Sequence, residues 1–124
     1  MVLGIGTDIL NIHNIEKSVS SYDDPFVKLT YTERELLLIK NRPVPLYSFA
    51  TRFSGKEAVF KALSAYGNEI RLNEIEILED PNGSPCVILH GNAKKKALHS
   101  GITRILISLS YDTDYAIAYA TAVK

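Results

Sequence analysis

The sequence predicts an α+β fold, a mostly antiparallel sheet packed on one long helix. Three observations carry that prediction. The chain runs from a strand through helices to a set of strands broken by one short helix. Pro45 to Tyr66 reads as one long amphipathic helix, with Leu46, Phe49, Ala50, Phe53, Phe60 and Leu63 at steps of three and four. Tyr115 to Val123 alternates strictly, with Ala116, Ala118, Ala120 and Ala122 on one face. Those alanines leave room for a large element, and the long helix is the candidate.

Val2 to Ile9 reads as the first strand. Leu3, Ile5 and Ile9 share one face, and Gly4, Gly6 and Asp8 share the other. The second face has almost no side chains before Asp8, so another element or a ligand can approach it closely. Asn11 to Val19 predicts a short helix, followed by a loop holding Asp23, Asp24 and Pro25. Thr30-Tyr31-Thr32-Glu33 matches a capping box and predicts a helix to about Lys40. Pro43 and Pro45 open the long helix, and Gly67 is its expected stop.

Asn73 to Leu78 alternates like a half-buried strand. Asp80 to Pro85 is a dense turn signal, and Cys86 to Leu89 returns as the hairpin partner. Asn92 can cap a short basic helix, Ala93 to His99, closed by Gly101. Ile105, Ile107 and Leu109 alternate along a further strand, and Asp112-Thr113-Asp114 turns it into the last one.

The 124 residues suit one domain, 1–124, with one core. Fourteen Lys and Arg balance fourteen Asp and Glu, so net charge gives no signal for nucleic acid or an acidic membrane surface. No apolar run reaches the roughly 20 residues that span a bilayer, and no signal peptide is expected from the opening residues, which read directly as a strand. The expected compartment is the cytoplasm. Cys86 is the single cysteine, which excludes a disulfide framework within the chain. It sits in an apolar run, and a buried structural thiol is expected there.

Glu57 lies four residues after Phe53 and three before Phe60, so it interrupts the apolar stripe of the long helix. A carboxylate in an apolar seam is costly unless its charge is compensated. Lys56 and Lys61 flank it, Lys61 one turn on. Asp8, ending a glycine-bearing strand, is the second acid out of place. Two carboxylates from different elements, with water and substrate phosphates, are a usual way to hold magnesium. The structural alternative is an Asp that caps the next helix and a Glu satisfied by Arg52 or Lys61; spacing alone favours it.

Other motifs say less. Gly4-Ile5-Gly6 is half of a dinucleotide fingerprint and lacks its third glycine. Lys94-Lys95-Lys96 reads as a solvated helix face that could also meet an acidic partner. His13, His90 and His99 have no ligand-like spacing. Ser108 and Ser110 share a strand face, as ordinary hydrogen-bonding residues or as two hydroxyls in line for a phosphate. No serine or cysteine pairs with a histidine in a way that suggests covalent catalysis.

Three segments taken together add a resemblance. They are Gly4-Ile5-Gly6-Thr7-Asp8-Ile9, then Arg52-Phe53-Ser54-Gly55-Lys56-Glu57-Ala58 with Lys61-Ala62-Leu63, then Ser108-Leu109-Ser110-Tyr111 with Tyr115-Ala116-Ile117-Ala118. With the Asn82-Gly83-Ser84-Pro85 turn, they resemble holo-[acyl-carrier-protein] synthase, the small phosphopantetheinyl transferase family, over nearly the whole chain. The resemblance implies the phosphopantetheinyl transferase fold. It implies transfer of 4'-phosphopantetheine from coenzyme A to a serine of apo acyl carrier protein, in support of fatty acid biosynthesis. Adenosine 3',5'-bisphosphate is the other product.

By the same resemblance, Asp8 and Glu57 hold magnesium, and Asp8, Glu57 and Lys61 form the catalytic group. Coenzyme A is expected to meet Arg52, Lys56, Lys61 and Gly67. Pro85, Ser108, Ser110 and Tyr111 complete the expected contacts. Family members usually form trimers with coenzyme A at the subunit interfaces, and a homotrimer is expected here. Three positions depart from the family pattern. Tyr111 stands where a histidine is usual. Ser64-Ala65-Tyr66-Gly67 replaces a glycine-rich turn. Asn14 replaces an arginine that meets the acidic carrier, with His13, Lys17, Lys28 and Arg34 as possible substitutes. A binding module of the same fold, holding coenzyme A or a carrier without catalysis, is the competing expectation.

Overall fold

The computed structural model describes residues 1–67 and 69–124. It contains, in order, β1 (Val2–Asn11), α1 (Pro25–Thr30), α2 (Glu33–Lys40), α3 (Pro45–Ala62), β2 (Ile75–Glu79), β3 (Pro85–Leu89), α4 (Gly91–His99), β4 (Arg104–Tyr111) and β5 (Tyr115–Val123). Short 3-10 turns at Ile12–Asn14 and Leu72–Glu74 follow β1 and precede β2. The strands form two antiparallel sheets, β1-β5-β4 and β2-β3. The expected α+β fold with antiparallel strands around a long helix is what forms.

α3 is the axis of the structure. It packs on β1, β5 and β4 with one side and on β2 and α2 with the other. Ala116, Ala118, Ala120 and Ala122 are all fully buried, as their spacing predicted, with α3 on their face of β5. In the β1–β5 register Gly4 faces Ala122, Gly6 faces Ala120 and Asp8 faces Ala118. Gly4 and Gly6 let the helix backbone touch the sheet: a Cβ at Gly4 would collide with the Ala62 carbonyl, and one at Gly6 with the Ala58 carbonyl. The close approach foreseen at this face is made by α3.

The other face of the β1-β5-β4 sheet is bare. Ile5, Ile9, Leu106, Ile117 and Tyr119 are exposed on it.

Some elements differ from expectation. The helix predicted from Asn11 is only a 3-10 turn capped by Asn11, continued as turns. Asp24 and Pro25 begin α1 rather than a loop: Asp24 accepts from the Phe26 N–H, and Pro25 occupies the first turn, where its missing N–H is harmless. The capping box of α2 is Thr32 with Glu35, two residues beyond the predicted pair. α4 starts at Gly91, and Glu74 reaches over to accept from the Asn92 and Ala93 N–H groups, so Asn92 is not its cap.

α3 stops at Ala62, short of Gly67. The Ser64 N–H donates to the Lys61 carbonyl and the Ala65 N–H to the Phe60 carbonyl. That is a Schellman closure, and Ser64 holds its left-handed position at φ 51°. Cys86 is half-buried rather than buried.

Candidate active site

The two sides of α3 carry different chemistry. An α-helix brings residues three and four apart onto one face. Ser54, Glu57, Ala58 and Lys61 therefore look toward β1, and Arg52 and Lys56 look toward β2 and α2.

On the β1 side, Asp8 and Glu57 are brought together. Ser54 Oγ lies 2.9 Å from Asp8 Oδ2 and 3.1 Å from the Asp8 carbonyl oxygen. Lys61 Nζ donates to the Thr7 carbonyl at 2.9 Å and lies 3.8 Å from Asp8 Oδ1. Glu57 is half-buried. Burial raises its carboxyl, the nearby Asp8 charge raises it further, and Lys61 opposes both. Two carboxylates crowd one lysine here, so negative charge is in excess and a cation would relieve it. Among the described residues no group of three or more His, Cys, Asp or Glu forms a complete metal cage. Magnesium does not require one, because it keeps waters and takes substrate phosphates beside one or two carboxylates. The donor set fits it.

On the other side of α3, the structure corrects the expectation for Lys56. Its side chain is fully buried. Its ammonium donates to Glu35 Oε1 at 2.7 Å, to the Ile75 carbonyl at 2.6 Å and to the Leu72 carbonyl at 3.1 Å. All three protons are taken inside the protein, so this group does not meet a nucleotide. Burial lowers the Lys56 ammonium, and the Glu35 charge opposes that. Glu35 also accepts from the Ile77 and Thr32 N–H groups.

Arg52, Pro85 and Tyr111 line a separate cleft of about 490 Å³ with Arg42, Tyr47 and Thr51. Tyr47 and Tyr111, both lining it, stack on each other, with ring centroids 5.1 Å apart and planes 26° from parallel. Arg52 is 5% exposed; its Nε donates to the Ile77 carbonyl at 3.1 Å, and its Nη2 lies 3.8 Å from Glu79 Oε1. Arg42 pairs with the same Glu79. Ser108 and Ser110 belong to neither group. They face outward on β4, paired in register with Tyr119 and Ile117 on the bare sheet face. Gly67 lies in the turn after α3 at φ 80°.

Sequence reasoning passed over Ser54, Glu35 and Tyr47. The Thr32-x-x-Glu35 spacing was a usable signal for Glu35. Nothing in the sequence marked Ser54 or Tyr47.

The fold and these groups define a class. A model of the 4'-phosphopantetheinyl transferase superfamily matches residues 4–120. A holo-[acyl-carrier-protein] synthase of Dehalococcoides mccartyi is 43% identical over 121 residues, which cover 98% of each chain. Fatty acid synthase subunit alpha of Saccharomyces cerevisiae is 36% identical over 98% of this chain, which matches 6% of that long protein. Among solved structures, Helicobacter pylori holo-[acyl-carrier-protein] synthase in complex with coenzyme A superposes with a TM-score of 0.82 at 32% identity, covering 96% of this chain and 99% of that one. The chain belongs to the 4'-phosphopantetheinyl transferase superfamily, among the holo-[acyl-carrier-protein] synthases.

Proposed function

We propose that this chain transfers 4'-phosphopantetheine from coenzyme A to a serine of apo acyl carrier protein, magnesium-dependently, in support of fatty acid biosynthesis in the cytoplasm. The observation that carries this reading is the meeting of Asp8, Glu57 and Lys61 where β1 crosses α3. Family membership supports the donor and the acceptor.

The carrier serine oxygen attacks the diphosphate phosphorus that bears the pantetheine arm. A new P–O bond forms, and the bond to the bridging oxygen breaks. That oxygen leaves on adenosine 3',5'-bisphosphate. The serine proton passes to Glu57 or to a water beside it. Asp8 and Glu57 would hold magnesium, which when bound neutralises the diphosphate and stabilises the leaving charge. Lys61 adds positive charge beside them. Arg52 lines the cleft that would take the nucleotide end, with Pro85 and Tyr111 in its walls.

The Asp8 group and the cleft rise from opposite sides of α3. One coenzyme A bridging both is easier to accommodate between two copies than on one. The bare apolar face of the β1-β5-β4 sheet supports such an assembly, because large exposed apolar patches mark interaction surfaces. We read the assembly as a homotrimer with sites at its interfaces, Ser108 and Ser110 included.

The test is the intact mass of an apo acyl carrier protein after incubation with this protein, coenzyme A and magnesium. The carrier should gain one phosphopantetheine, and chelation should abolish the gain. The Glu57→Gln protein should lose at least about a hundredfold in rate. Full activity in that variant would remove Glu57 from the mechanism. Coenzyme A binding without transfer to any carrier in a panel would favour a binding module instead.

A further inference from the structure

A serine inside a helix ordinarily returns its hydroxyl to the carbonyl one turn back. Ser54 sends its hydroxyl across to β1. It is fully buried in the middle of α3, three residues before Glu57 and seven before Lys61, on the same face. Its one proton has two acceptors on a single residue, Asp8 Oδ2 at 2.9 Å and the Asp8 carbonyl oxygen at 3.1 Å.

We propose that Ser54 is a positioning residue for Asp8: it holds Oδ2 against the helix and presents Oδ1 to the cation. The proposal rests on the reading of Asp8 as a magnesium ligand. The two oxygens of Asp8 are not equivalent. Oδ2 is engaged by the buried hydroxyl, and Oδ1 is the oxygen on the Lys61 side, 3.8 Å from Nζ. A free carboxylate can swing about its last torsion. Magnesium demands near-octahedral geometry at short range, so a ligand that swings binds it poorly. Hydrogen bonds to a ligating carboxylate remove that freedom, and losing such a partner typically weakens metal binding about 10- to 100-fold. Because Ser54 and Glu57 share α3, the same bond also fixes β1 and helix in the register that brings both carboxylates to one ion.

The test compares Ser54→Ala with Asp8→Asn and the unmodified protein. Alanine is smaller and favours helix, so the fold should survive; circular dichroism checks it. Manganese serves as the probe, read by loss of its free-ion paramagnetic resonance signal on adding protein. Ser54→Ala should bind manganese about tenfold more weakly. Its transfer rate should return toward that of the unmodified protein at saturating magnesium, with a raised activation constant. A purely structural serine would lower the melting temperature and leave both ion constants alone. Unchanged manganese binding in Ser54→Ala, with binding lost in Asp8→Asn, overturns the proposal and leaves Asp8 as ligand. Unchanged binding in both overturns the magnesium reading of Asp8, and the proposal with it.

Discussion

Lys56 Nζ lies 2.7 Å from Glu35 Oε1, and neither side chain reaches solvent. This pair joins α3 to α2, and Glu35 extends it to β2 through the Ile77 N–H. Every polar atom of the pair is engaged, so it is tolerated in the interior. Removing one partner strands the other as an uncompensated buried charge. Lys56→Met alone should therefore destabilise the protein by about 3–5 kcal/mol. The double variant Lys56→Met with Glu35→Leu should recover part of that loss. Recovery should stop short, because the Ile77 and Thr32 N–H groups lose their acceptor. Urea unfolding of the three proteins measures both steps. A single variant as stable as the unmodified protein would mean that leaving Glu35 without its ammonium partner costs little.

The turn after α3 predicts a change of opposite sign. Ser64 sits at φ 51°, a left-handed conformation that costs an L-residue about 1 kcal/mol and glycine almost nothing. Its side chain is exposed. Ser64→Gly should stabilise by at most about 0.5 kcal/mol after the extra freedom glycine gains in the unfolded chain. Thermal melting should show a rise of at most a few degrees. A fall would mean that the Ser64 side chain contributes something its exposure hides.

Much of this architecture was legible, and the misses share a cause. β5 was read to the residue, because four alternating alanines and the Asp112 turn leave one register. The sequence predicts a loop where α1 forms, because Asp24-Pro25 is equally the signature of a turn and of a helix start. At the site, Asp8 stands out as the acid on a glycine-bearing strand and Glu57 as the acid in an apolar stripe, and the Asp8 charge does act on Glu57. The resemblance carries Lys56 to coenzyme A, and the local pattern does not oppose it, because α3 is buried nearly all round. Helical periodicity finds one apolar stripe and assigns everything else to solvent. On this helix the more deeply buried charge is Lys56, outside the stripe, and the half-buried one is Glu57 within it. The partner of Lys56, Glu35, lies 21 residues away, a pairing no local pattern reveals.

Acid should weaken the fold through Glu76. Its side chain is 2% exposed and accepts from Thr32, Arg34 and His90. Burial alone would raise its carboxyl. The hydrogen bonds from those three residues and the Arg34 charge outweigh burial and hold it at about 2, below the ordinary 4.5. A group lowered in the folded state contributes stability above its unfolded value and loses it as pH falls toward its folded one. The contribution, at most about 3 kcal/mol, should be complete above pH 5 and vanish progressively between about pH 4.5 and 2. Urea unfolding at several pH values should show that slope, and Glu76→Gln should flatten it. An equal slope in both proteins would move the acid sensitivity to other carboxylates.

In the proposed homotrimer the bare sheet face would tie assembly to activity. Ile117 and Tyr119 are nearly half exposed in the single chain, at 46% and 48%, and they lie in register beside Ser110 and Ser108. Burying the exposed half of such a residue against another copy contributes roughly 1 kcal/mol per large side chain. A charge placed among them would have to be desolvated to assemble. Ile117→Glu should therefore shift the protein to monomers in sedimentation equilibrium. The neighbouring Ala116 and Ala118 face the core, so the fold itself should be retained. If the Asp8 group of one copy works with the Arg52 cleft of another, this variant should lose transfer activity while keeping its circular dichroism. The unmodified protein should likewise lose specific activity on dilution below its dissociation constant. A monomeric Ile117→Glu protein with full activity would place the complete site within one chain, despite the two sides of α3 on which its parts lie.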